Sequence, residues 1–125
     1  MFEVGASTSF RAFHAMPDRP PPEGERHPHD YRVEVVAERE RLDERGMVCD
    51  LDVLDAVLQR IDGVVRDQNL EVIRPPEAEA VTVEVFAAWA HRTLADELRP
   101  TGVETLTVRV YENPDAFGGV SERLT

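Results

Sequence analysis

The segment MPDRPPPEGERHP, residues 16–28, constrains the fold more than any other part of the chain. Its prolines fix φ and lack backbone donors, so it is neither a regular helix nor a central strand. It is a loop, and on each side lies a run that alternates apolar and polar residues. Residues 2–14 place Phe2, Val4, Ala6, Phe10, Ala12 and His14 at alternate positions. Residues 29–38 do the same with Tyr31, Val33, Val35 and Ala37. Successive side chains of a strand point to opposite faces, so both runs predict strands with one buried and one wetter face.

Further along, RERLDERG (39–46) reads as a charged turn closing on Gly46, and MVCDL (47–51) as a short apolar strand. DLDVLDAVLQRIDGVV then carries Leu51, Leu54, Val57, Leu58 and Ile61 at steps of three and four. That spacing marks an amphipathic helix, with Asp50 or Asp52 as its cap. Residues 66–80 read as a long loop broken by two prolines. VTVEVFAAWAHRTLADELRP predicts a second helix, capped by Thr82, with Glu84 at its positive end. His91 falls on its surface in this reading. ETLTVRVYE (104–112) predicts a last strand, and residues 113–125 carry little pattern.

The order is strand, strand, short strand, helix, helix, strand. It predicts one α+β domain over residues 1–125, an antiparallel sheet with both helices on one face. Such a sheet has open edges, and self-association into a larger barrel is one way to protect them. At 125 residues the chain suits a single domain. It has no run of 18 apolar residues, so no membrane span is expected. MFEVGASTSF lacks a basic segment before a long apolar one, so no secretion signal is expected either. A cytoplasmic protein is the expectation. The single cysteine, Cys49, forbids an internal disulfide and reads as a buried core thiol. The net charge of −11 argues against nucleic acid and anionic membranes as partners.

Three of the four histidines raise a chemical question. His27 and His29 are two residues apart at the mouth of a strand, so their side chains share a face. His14 ends the neighbouring strand. Pro28 biases His27 toward extended backbone. Three imidazoles bind zinc and leave a fourth tetrahedral position open, the catalytic arrangement. On spacing alone, a metal site and three unrelated surface residues both stand.

Read in order, FRAFHAM, HPHDYRVEV, GMVCDLDVLDAVL, VRDQNLE, VTVEVFAAW and VRVYE resemble one family across nearly the whole chain. It is the family of 6-pyruvoyl tetrahydropterin synthases and 6-carboxytetrahydropterin synthases. The resemblance implies a four-stranded antiparallel sheet with two helices, three subunits closing a barrel, and two trimers stacked as a hexamer. It implies active sites between subunits, with zinc held by His14, His27 and His29. It places Glu112 on the edge of a pterin, where a carboxylate accepts two adjacent N–H bonds at once, and Thr82 in the same pocket.

Three familiar positions differ. The family's catalytic cysteine, four residues before the first histidine of its H-G-H motif, falls on Glu23. Its Asp-His pair falls on Arg66 and Asp67, and H-G-H has become H-P-H. One reading is an active variant in which Glu23, or Glu25 in a shifted register, is the acid or base and Asp67 a second one. It resembles a branch with glutamate at the cysteine position, which cleaves dihydroneopterin to 6-hydroxymethyl-dihydropterin for folate synthesis. The other reading is a catalytically inactive paralogue that binds zinc or a pterin. The expectation is a zinc-dependent lyase acting on a dihydropterin side chain.

Overall fold

Two 13-residue strands form the spine of the fold, in a computed structural model that describes residues 1–124. β1 (Phe2–His14) and β2 (His27–Arg39) pair antiparallel along their full lengths, from Phe2 opposite Arg39 to His14 opposite His27. α1 (Leu51–Val65) and α2 (Val83–Leu98) follow, then β3 (Thr105–Asn113) and β4 (Ala116–Arg123). The sheet order is β1-β2-β3-β4, each neighbour antiparallel. The protein is therefore α+β, with a four-stranded antiparallel sheet and two helices. No helix is long and apolar enough to cross a membrane among the described residues.

The alternation predicts the buried face well. Phe10, Ala12, Tyr31, Val33, Val35 and Ala37 are all buried, and β3 adds Leu106, Val108 and Val110. The helices cover that face with Leu54, Val57, Leu58 and Ile61 from α1, and Phe86, Ala87, Ala90 and Leu94 from α2. Asp50 caps α1 by accepting from the Asp52 N–H at 2.9 Å. Thr82 caps α2 by accepting from the Val85 N–H at 3.1 Å. Both capping oxygens satisfy donors that the first helical turn leaves free.

Several expectations are corrected. Met47–Asp50 is not a strand: the Asp43 carboxylate accepts from the Arg45 and Met47 N–H groups, and the Met47 carbonyl accepts from Asp43. That turn uses the backbone a strand would need, while Val48 and Cys49 still bury their side chains. Leu51 opens α1 but stands 47% exposed, off the apolar stripe. The loop after α1 contains a 3-10 turn, Leu70–Ile73, capped by Asn69. His91 is buried rather than on the surface, and its Nε2 lies 3.1 Å from the Leu106 carbonyl. The segment after Asn113 is not patternless: it turns back as β4. Its glycines hide the alternation but answer a steric need. A Cβ at Gly118 would meet Val83 Cγ2 at 2.8 Å and the Glu84 nitrogen at 3.1 Å. Gly118 thus lets the first turn of α2 descend onto the sheet.

The outer edge of β1 is partly covered. The Asp67 N–H donates to the Arg11 carbonyl at 2.7 Å, and the Phe13 N–H donates to the Gln68 carbonyl at 2.9 Å. Asp67 adopts positive φ to make this turn. The turn is anchored by Arg66, whose guanidinium donates twice to buried Asp62, at 2.6 and 2.7 Å, and once to the Ser9 carbonyl at 3.1 Å. Thr8 donates to the same carboxylate at 3.1 Å.

Arg66 and Thr8 hold the Asp62 carboxyl below its ordinary pKa, with the guanidinium as the larger cause and burial opposing it. The stabilisation is therefore fully present above the unfolded carboxylate value and is lost as pH falls through the lower, folded one. Asp62→Asn should cost about 1.5–3 kcal/mol at neutral pH, the worth of hydrogen bonds to a charged group. In chemical denaturation the gap to the unmodified chain should close below about pH 4, where carboxylates protonate. An unchanging gap across pH would assign the loss to shape rather than charge.

Candidate metal centre and substrate pocket

The register of β1 on β2 brings the three histidines together. His14 and His27 are direct partners, and His29 sits opposite Ala12. The three rings lie 4.6–5.0 Å apart by centroid. Each offers one nitrogen, and these nitrogens all lie within 4.8 Å of one another.

Two backbone carbonyls orient the rings. His14 Nδ1 lies 3.2 Å from the Val81 carbonyl, and His27 Nδ1 lies 2.8 Å from the Glu25 carbonyl. A carbonyl only accepts, so both Nδ1 atoms carry the proton and both Nε2 atoms present lone pairs. His27 Nε2 and His29 Nε2 are 3.2 Å apart. No hydrogen bond fixes the tautomer of His29, so this contact is met either by a proton on His29 Nε2 or by a cation between the rings. In tetrahedral zinc, bonds of about 2.0–2.1 Å separate the ligands by roughly 3.3–3.4 Å; the His27–His29 pair is near that spacing, and the three nitrogens together could hold a metal ion. Burial is the largest cause acting on His14 and His29, and it lowers the pKa of both. Bonds from the second ring nitrogen to a carbonyl are how proteins fix the orientation of ligating imidazoles.

The triad opens into a cavity of about 560 Å³ shared with Glu23, Thr82 and Glu112. Thr82 arrives through the cap of α2, directly after the carbonyl that holds His14. Glu112 arrives on β3: Arg32 pairs with Tyr111, so the next pair brings Glu112 alongside Tyr31 on the helix-facing side. Tyr31 lies beneath His29, ring centroids 5.5 Å apart, and its buried hydroxyl has no hydrogen-bond partner among the described residues. Burial first, and Glu112 second, push that hydroxyl's pKa up. Glu23 is exposed at the loop end of the cavity, held there because the Met16 N–H donates to its carbonyl at 2.8 Å.

The chain does not bring every expected residue here. Asp67 does not line this cavity, because the turn after α1 pins it outside the edge of β1. Glu25 contributes its carbonyl to His27, and its carboxylate is not on the cavity wall. Conversely, Arg19 lines the cavity although nothing in the sequence marks it, and Glu84, read from the sequence only as a charge favouring the start of α2, lines it too. The Val81 and Glu25 carbonyls were equally invisible, since a backbone acceptor has no residue signature.

Comparison with known proteins follows the same lines. A family model described as 6-pyruvoyl tetrahydropterin synthase matches residues 3–122. No curated protein matches the chain. Among solved structures, a Plasmodium vivax 6-pyruvoyl tetrahydropterin synthase aligns with a TM-score of 0.78 at 16% identity, covering 98% of each chain. The Caenorhabditis elegans enzyme of that name aligns at 0.75 and 20% identity, over 97% of this chain and 95% of that one. A Plasmodium vivax variant, in which a glutamate called a catalytic residue is changed to alanine, aligns at 0.79 and 15% identity over 98% of each chain. At these identities the solved structures establish the fold. The match over residues 3–122 goes further: the chain belongs to the 6-pyruvoyl tetrahydropterin synthase family.

Proposed function

We propose that this chain is a zinc-dependent lyase that cleaves the side chain of a dihydropterin, with Glu23 in the role that cysteine plays in much of the family. The observation that carries it is the meeting of three inward-facing imidazoles with Glu23 and Glu112 in one cavity. His14, His27 and His29 would hold zinc, which supplies an electrophile that makes a side-chain hydroxyl more acidic. Glu112 accepts paired hydrogen bonds from the amide-like edge of the pterin. Thr82 lines the cavity and, through its cap, fixes the carbonyl that steers His14. Glu23 takes the proton from the hydroxyl on the second side-chain carbon. The bond between the first and second carbons then breaks, its electron pair passing into the ring through the first carbon. A proton returned to the first carbon completes 6-hydroxymethyl-dihydropterin, and glycolaldehyde leaves.

A catalytic glutamate is named in the Plasmodium vivax relative, which supports a carboxylate as a reacting group on this fold. Asp67, outside its own chain's cavity, would act as the second acid or base from an adjacent subunit. That role suits a homo-oligomer, a dimer of trimers in which sheet edges pair between copies. The protein would work in the cytoplasm.

Three measurements test this reading. Purified protein should carry about one zinc per chain by elemental analysis, and His29→Ala should lose it, because three protein ligands are the minimum for catalytic zinc. Incubation with dihydroneopterin should release glycolaldehyde; acetaldehyde or triphosphate from its triphosphate would place the chain with the synthases instead. Glu23→Ala should lower turnover at least about 100-fold, the lower bound for a lost general base, and leave zinc content unchanged. Bound zinc with no turnover of either compound would favour an inactive pterin- or zinc-binding paralogue.

A further inference from the structure

Tyr31 packs among four rings, yet its one polar atom is left over. Phe86 and His29 lie 5.5 Å from it by ring centroid, and Phe10 and His14 lie 6.3 Å away. The residue is 1% exposed, and its hydroxyl has no hydrogen-bond partner among the described residues. A buried donor without an acceptor is destabilising, and native proteins carry few of them, each of which calls for a reason. Phenylalanine would fill the same space without that cost. Stability of the free protein therefore does not account for a tyrosine here.

A second unmet group stands beside it. The pairing of Arg32 with Tyr111 puts Glu112 opposite Tyr31, on the same face of the sheet. Side chains at such facing positions are close neighbours. Glu112 is half-buried, and its carboxylate makes no hydrogen bond or ion pair among the described residues. Its charge reaches the hydroxyl: after burial, it is the cause that raises the pKa of Tyr31. The hydroxyl keeps its proton and stays a donor. A donor without an acceptor and an acceptor without a donor thus occupy neighbouring places. Glu112 is on the cavity wall, and Tyr31 lies behind it.

We propose that Tyr31 is a positioning residue for Glu112: its hydroxyl donates to that carboxylate when a pterin edge occupies it. This rests on the pterin reading above and adds what holds the anchoring group still. A carboxylate offers about four acceptor sites. The paired N–H groups of a pterin use two, which leaves room for Tyr31 from behind. A glutamate with no other partner must be ordered at each binding event, and that ordering subtracts from affinity. A donor wedged among four rings lowers that cost. Tyr31 does not line the cavity, so it acts through Glu112 and not on the substrate.

The test compares Tyr31→Phe with the unmodified full chain, both supplied with zinc. Chemical denaturation without ligand should find Tyr31→Phe at least as stable, because it removes the unmet donor and keeps the packing. Zinc content should be the same in both. Affinity for 6-hydroxymethylpterin, read by its fluorescence, should fall about 10-fold in Tyr31→Phe, the low end for a hydrogen bond to a charged group. Glu112→Gln should weaken the same binding. Adding Tyr31→Phe to Glu112→Gln should lower affinity by less than about threefold more, since an amide oxygen accepts more weakly than a carboxylate and the two changes act on one interaction. Full affinity in Tyr31→Phe, or an equal loss with and without Glu112→Gln, would overturn the proposal and leave the pterin reading standing. So would a ligand-free Tyr31→Phe less stable than the unmodified chain, because the hydroxyl would then already have a partner. No binding of 6-hydroxymethylpterin by the unmodified chain overturns the pterin reading and this proposal with it.

Discussion

The site depends on one constraint, the register between β1 and β2. His14 opposite His27, and His29 two residues along, share a face only in this pairing. Side-chain direction repeats every two residues, so a slip of one would turn the histidines of one strand away from those of the other. It would also drive Phe10 or Tyr31 out of the core. The apolar residues of both strands thus enforce the geometry of the polar ones: Phe10 stacks on Tyr31 at 6.3 Å, and both pack on Phe86 of α2. Packing that stabilises the sheet and positioning of the imidazoles are the same event.

The second layer of control is the backbone. The carbonyl of Val81, the residue before the α2 cap, accepts from His14. The carbonyl of Glu25, at the end of the loop, accepts from His27. The triad is thereby tied to a helix start on one side and a loop end on the other. Gly118 completes the arrangement, because any larger side chain there would lift the first turn of α2 and with it Val81. A glycine on the last strand so bears on a ring on the first.

Much of this was legible in the sequence, for identifiable reasons. Period-two alternation in residues 2–14 and 29–38 reports a sheet buried on one face, and both strands form there with their apolar sets inward except Phe2, which stands 51% exposed at the start of β1. Thr82 and Asp50 cap as their types suggest. That His27 and His29 share a face follows from strand geometry, whereas His14 joins them only through the register, which the spacing leaves open. What was hidden had no local signature. β4 is disguised by Gly118 and Gly119, which answer to contacts with α2 and β3 rather than to strand propensity. Val48 and Cys49 look like a strand because they are apolar, yet the Asp43 turn uses the surrounding backbone. His91 resembles a surface residue until Leu106 is seen to present its carbonyl under the helix. Arg19 looks like one more charge in a polar loop, and only the fold reveals which cavity it faces.

The turn that carries Asp67 has an effect on the rim of the sheet. It occupies the outward-facing backbone of Arg11 and Phe13, and Arg66 takes the Ser9 carbonyl. By the same alternation, Glu3, Gly5 and Ser7 direct amide groups away from β2, and these have no backbone partner among the described residues. Any strand added laterally has those three rungs to grip and meets a physical stop at Ser9. The rim of the sheet is therefore closed by the chain itself from Ser9 onward, and Ser9 marks where that closure begins.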